Sequence, residues 1–139
     1  MIEYQITGST RNKKRFDRFV QDVILELLPY PYKRLVEIDI EIVNTLIHGN
    51  YAECDGDRNA ANVVLSRRDE NNELFSERYM ALNVAHELVH AKQFIKGQLS
   101  YKMNGNAWCD FWMKKPVTAR RPWEKEAYKL EEELVAKYW

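Results

Sequence analysis

Cysteine, proline and glycine are scarce in this sequence of 139 residues, which contains 2, 4 and 5 of them, respectively. Two cysteines, Cys54 and Cys109, are too few for a disulfide scaffold, so we expect free thiols in a reducing compartment. There is no Pro/Gly/Ser-rich linker and no internal repeat. These absences predict a single folded domain over residues 1–139.

The chain also lacks net charge and long apolar runs. Its 21 Lys and Arg residues balance 21 Asp and Glu residues, which argues against nucleic acid as the main partner despite the basic run Arg11–Arg15. The apolar runs are far shorter than the roughly 20 residues that cross a bilayer. Because the first residues lack the basic and apolar regions of a cleaved signal, we expect a cytoplasmic protein without a membrane partner.

Apolar residues at helical spacing predict three helices. The first runs from about Arg11 to Leu28, and the second from Ser76, a candidate N-cap, to Lys96, just before Gly97. The third begins near Pro122, since proline is favoured at the first position of a helix, and continues to the C-terminus.

Strands are predicted between the first two helices. Over 36–42, apolar residues alternate strictly with acidic ones, which is typical of a strand with one buried face. Shorter strands are predicted over 51–54 and 61–66, and a weaker one over 2–6, whereas 99–119 is irregular apart from a hairpin signal at Asn104-Gly105. This order of elements predicts an α+β domain.

The second helix carries the motif H-E-x-x-H, formed by His86, Glu87 and His90. Residues four apart lie one turn apart on the same helical face, so both imidazoles can reach one cation. Glu87 lies about 100° around the helix from His86, where a general base can take a proton from metal-activated water. The plainer alternative is a pair of ordinary helix histidines, but the core stripe of this helix is centred nearly opposite them and leaves their face free for a site. The stripe consists of Ala81, Val84, Leu88, Ala91 and Ile95.

A catalytic zinc site usually has a third protein ligand, and no histidine follows His90. The candidates are Glu124 and Glu126, at the start of the last helix, and His48. Both glutamates flank the apolar stripe of their helix, so helix geometry does not choose between them. Imidazole and carboxylate ligands favour Zn²⁺, although Mn, Co or Fe ions accept the same set.

The sequence from His86 to Gln93, H-E-L-V-H-A-K-Q, followed by Glu126 and Ala127, resembles the glutamate-type zincin metallopeptidases (gluzincins), especially the small single-domain versions of phages and prokaryotes. The resemblance rests on the stretch from about Ala61 to Leu134, in which only these two short motifs are specific. It implies that His86, His90 and Glu126 bind Zn²⁺ and that Glu87 activates water for hydrolysis of peptide bonds.

The resemblance also implies a minimal zincin-like fold, with a small, mostly antiparallel twisted sheet packed on the three helices. A peptide or protein substrate would add to the sheet along Ala61–Ser66, the expected edge strand. Tyr101, Tyr128 and His48 are candidates for stabilising the oxyanion. The alternative function is a catalytically inactive zinc-containing module that binds proteins.

Overall fold

The computed structural model describes residues 1–29, 31–46, 50–102, 105–108, 111–113 and 121–139, with side chains described up to residue 100 and from residue 121. The first half contains four strands and one helix: β1 (Ile2–Thr7), α1 (Lys13–Leu27), β2 (Val36–Val43), β3 (Ala52–Gly56) and β4 (Ala60–Ser66). The second half contains two helices and three short strands: α2 (Glu77–Ile95), β5 (Leu99–Lys102), β6 (Gly105–Trp108), β7 (Phe111–Met113) and α3 (Pro122–Tyr138).

The main sheet has four strands in the order β1-β2-β4-β3. Strands β1 and β2 pair in parallel, as do β2 and β4, whereas β3 pairs antiparallel to β4. The predicted α+β class is confirmed, but the main sheet is mixed rather than mostly antiparallel. The small second sheet, β5-β6-β7, is antiparallel throughout. It lies in the stretch expected to be irregular.

The strand predicted over Ala61–Ser66 forms as β4, but it is not an edge strand. It pairs with β2 on one side and with β3 on the other, so its backbone groups are already used. Among the described strands, β1 and β3 are the edges of this sheet. Because β3 also packs against α2, the edge beside the motif helix is β3.

One face of the sheet carries the core. The apolar residues of β2 are buried and the acidic residues between them are exposed, as the alternation predicts. The buried face packs with apolar residues of α1, α2 and α3 in a single cluster that includes Phe19, Val20, Ile40 and Leu88. Helix α2 contacts β3, β4, α1 and α3, which places it at the centre of the domain.

The helices begin where their sequence signals predict. The side chain of Ser76 caps α2 by accepting a hydrogen bond from the backbone N–H of Tyr79 at 3.1 Å. Gly97, just after α2, has φ of +75°, a conformation in which glycine ends helices without strain. The hairpin residue Asn104 lies outside the described residues. In the part of the chain that the structure describes, no helix is long and apolar enough to cross a membrane.

Candidate metal centre

The two histidines of the motif lie side by side near the middle of α2. His90 is buried and His86 is half-buried, and their Nε2 atoms are 3.2 Å apart. The sequence predicts this pairing, because residues four apart on a helix share one face. Both imidazoles therefore present the same nitrogen to one point in space.

Glu124, in the first turn of α3, completes a group of three. Its carboxylate lies 2.5 Å from His90 Nε2 and 3.6 Å from His86 Nε2, and one ligand atom from each residue lies within 4.8 Å of the others. Ligands about 2.1 Å from a tetrahedral zinc are about 3.4 Å apart. His86 Nε2 lies close to this distance from both His90 Nε2 and Glu124 Oε2, whereas Glu124 Oε1 contacts His90 Nε2 directly. The three residues could therefore hold a metal ion.

The structure does not bring Glu126, the ligand implied by the family resemblance, to the histidine pair. The Glu126 carboxylate lies 2.5 Å from Lys92 Nζ and accepts a hydrogen bond from Gln93 Nε2 at 3.1 Å. The cause is the rotation of α3, since residues two apart on a helix are separated by a rotation of about 200° and point in nearly opposite directions. When Glu124 faces His90, Glu126 faces elsewhere, so the structure groups Glu124 rather than Glu126 with the two histidines.

Packing at the start of α3 fixes this rotation. Trp123 is buried in a small cluster with Phe94 of α2 and Leu99 of β5, and Ala127 is buried in the main core. With these apolar residues held inside, Glu124, Tyr128 and Glu131 share the face that meets α2, because positions i, i+4 and i+7 of a helix lie in one row. This spacing of i, i+4 and i+7 is the signal in the sequence that could have grouped Glu131 with Glu124.

Each histidine has a partner for its other ring nitrogen. His86 Nδ1 lies 3.0 Å from a carboxylate oxygen of Glu131, and His90 Nδ1 lies 2.8 Å from the side-chain oxygen of Gln93. Such contacts orient metal-binding histidines and leave Nε2 for the ion. Sequence reasoning missed both partners. Glu131 begins an acidic run that is typical of a solvated surface, and Gln93 belongs to neither the apolar stripe nor the H-E-x-x-H motif of its helix.

Opposite charges hold the group together. Burial lowers the pKa of His86, but hydrogen bonds to Glu124 and Glu131 outweigh burial and raise this pKa to about 10. Burial raises the pKa of Glu124, yet its contacts with His86 and His90 lower this pKa to about 2. Without a metal ion, the imidazolium form of His86 and the carboxylate form of Glu124 thus stabilise each other, and His86 must lose the proton on Nε2 before that nitrogen can bind a metal ion.

Glu87 is almost completely buried beside this group, with a relative exposure of 7%. Burial raises its pKa, while the charges of His90 and His86 act in the opposite direction. Its other electrostatic neighbours include Glu53 on β3, and its charge adds to burial in raising the pKa of the free Cys54 thiol. Glu87 therefore lies near both the histidines and the edge strand, and its raised pKa suits a proton acceptor.

A tyrosine borders the same site. The Tyr128 ring lies 4.8 Å from that of His86 and is 52% exposed. Burial raises the pKa of the Tyr128 hydroxyl, and Glu124, Glu131 and Glu87 raise it further, so this hydroxyl keeps its proton at neutral pH. Of the other oxyanion candidates, His48 and the side chain of Tyr101 lie outside the described part of the structure.

Comparisons with protein-family models, with curated proteins and with solved structures found no match to this chain. The chemistry of the site therefore follows from its residues. They provide two imidazole nitrogens and a carboxylate that can hold a metal ion, with a buried carboxylate and a tyrosine hydroxyl beside them.

Proposed function

We propose that this protein is a zinc-dependent endopeptidase that hydrolyses peptide bonds. The observation that carries the proposal is the convergence of His86, His90 and Glu124 on one point, with Glu87 buried next to them. A structural zinc site has four protein ligands and no use for a further acid between its histidines. Three ligands with an adjacent carboxylate match a catalytic site instead.

His86, His90 and Glu124 would hold the metal ion. Nitrogen and carboxylate ligands in this number favour zinc. When bound, zinc supplies a Lewis acid that polarises the scissile carbonyl and lowers the pKa of water. The contacts of Glu131 and Gln93 with the Nδ1 atoms would leave both Nε2 atoms available to the ion.

Glu87 would move the proton. Its carboxylate accepts a proton from the attacking water and then donates that proton to the departing amine nitrogen, which avoids a charged leaving group. The raised pKa of Glu87 favours both steps, because a more basic carboxylate accepts a proton readily and still releases it to an amine.

The substrate would bind as an extended peptide along β3, the edge strand beside Glu87. Strand addition satisfies backbone hydrogen bonds on both chains, and Glu53 and Cys54 place this strand within electrostatic range of Glu87. Next to His86, the Tyr128 hydroxyl would donate a hydrogen bond to the oxyanion that forms on the scissile carbonyl.

The test is cleavage of an unfolded protein and of a diverse peptide library by the zinc-loaded protein. We expect Glu87→Gln to retain one zinc per chain and to lose cleavage, since the amide cannot accept the proton. His90→Ala should lose both zinc and cleavage. If the wild-type protein binds zinc and cleaves none of these substrates, the endopeptidase proposal is wrong and a zinc-containing binding module replaces it.

A further inference from the structure

Gln93 is a polar residue that is completely buried, with a relative exposure of 0%. It lies one turn after His90 on α2, and all of its side-chain groups have partners. The oxygen lies 2.8 Å from His90 Nδ1, and the nitrogen donates to the backbone oxygen of Trp123 at 2.9 Å and to Glu126 Oε1 at 3.1 Å. A buried amide with three hydrogen bonds stabilises one arrangement of the groups around it.

These partners allow only one orientation of the amide. Trp123 and Glu126 offer oxygen atoms that can only accept, so the amide nitrogen must face them and its oxygen must face the imidazole. The opposite orientation would place three oxygen atoms against one another. His90 must therefore carry a proton on Nδ1, which leaves Nε2 as the nitrogen that can bind a metal ion.

The other end of the same amide holds α3. Its two acceptors, Trp123 and Glu126, lie on either side of Glu124 in the chain. Anchoring the residues on both sides limits where the Glu124 carboxylate can lie, and that carboxylate is 2.5 Å from His90 Nε2. One side chain thus orients His90 and fixes the first turn of α3 opposite it.

We propose that Gln93 is a positioning residue of the metal centre, which holds the His90 ring with Nε2 toward the ion and sets Glu124 across from it. The metal ion in this inference rests on the proposed function. The proton on His90 Nδ1 does not, because it follows from the hydrogen bonds of Gln93. It also gives Glu126 a role, as an anchor for the amide rather than as a ligand.

Three variants separate the parts of this role. Gln93→Leu removes all three hydrogen bonds at similar volume. Gln93→Glu keeps an oxygen acceptor for His90 Nδ1 but loses both donors to α3. The matched control is Lys92→Met, which breaks the neighbouring ion pair with Glu126 between the same two helices without touching His90.

The first measurement is the NMR signal of the Nδ1 proton of His90, recorded with and without zinc. We expect a slowly exchanging signal in the wild type, in Lys92→Met and in Gln93→Glu, and its loss in Gln93→Leu. The second is zinc affinity by competition with a chelator, with the absorption spectrum of the Co²⁺-loaded protein. Removing an outer-shell partner lowers metal affinity about 10–100-fold, so we expect this loss in Gln93→Leu, a smaller loss in Gln93→Glu and an unchanged Co²⁺ spectrum in Lys92→Met.

The inference is overturned if folded Gln93→Leu keeps the wild-type affinity and Co²⁺ spectrum, or loses no more affinity than Lys92→Met. If Gln93→Leu does not fold, the wild-type protein decides, since a His90 without a slowly exchanging Nδ1 proton contradicts the assigned contact. A wild-type protein that shows this signal but binds no zinc would refute the proposed function and leave the positioning of His90 intact.

Discussion

Replacing Glu124 with alanine should abolish tight zinc binding, whereas the same change at Glu126, two residues away, should not. The structure places the Glu124 carboxylate with the two histidines and pairs Glu126 with Lys92. Losing an outer-shell partner costs about 10–100-fold in metal affinity. Since Glu124 is one of the three proposed ligands, we expect its loss to cost more than 100-fold, and the loss of Glu126 to cost less than tenfold.

This difference converts into a thermal shift. Zinc at about 100 times the dissociation constant stabilises a folded protein by about 2.7 kcal/mol, which for a domain of 139 residues raises the melting temperature by about 10 °C. If Glu124→Ala weakens binding 100-fold, the same zinc concentration stabilises it by only about 0.4 kcal/mol. The expected shift then falls to about 2 °C.

The assay is thermal denaturation of each variant with and without zinc, and the quantity compared is the zinc-induced shift. Using the shift removes the effect of each substitution on the metal-free protein, which matters because Glu124 also pairs with both histidines there. A large shift in Glu124→Ala together with a small one in Glu126→Ala would refute the ligand set and restore the one implied by the family resemblance.

Two further predictions concern catalysis and the core. Tyr128→Phe should retain zinc but lower kcat about 100–1,000-fold, the usual effect of removing one oxyanion donor; unchanged kcat would exclude this role. Ile40→Ala, in the buried face of β2, should lower the free energy of unfolding in urea by about 2–5 kcal/mol. The control Leu25→Ala, on an exposed part of α1, should change it by less than about 0.5 kcal/mol, and equal effects would contradict the assigned core.

The helices and the buried face of the sheet could be predicted because their signals are local. The alternation over Val36–Val43 reports which side chains are buried, and that pattern is the same whichever direction the neighbouring strand runs. Parallel pairing of β2 with β1 and β4 depends on the direction in which the chain re-enters the sheet after α1 and after the later loops. For the same reason the sequence could not reveal that β3, rather than β4, forms the edge.

The site divides in a similar way. His86 and His90 lie four residues apart on one helix, so their side chains meet whatever the rest of the fold does. The proposed third ligand comes from another helix, and its identity depends on how α3 is rotated against α2. That rotation follows from the burial of Trp123 and Ala127, and it selects Glu124.

The most direct test of the metal centre is a crystal structure of the zinc-loaded protein, with anomalous diffraction data collected at the zinc absorption edge. We predict one anomalous peak per chain, bonded to His86 Nε2, His90 Nε2 and the carboxylate of Glu124. A peak bonded to Glu126 instead, or no peak beside the two histidines, would contradict the account.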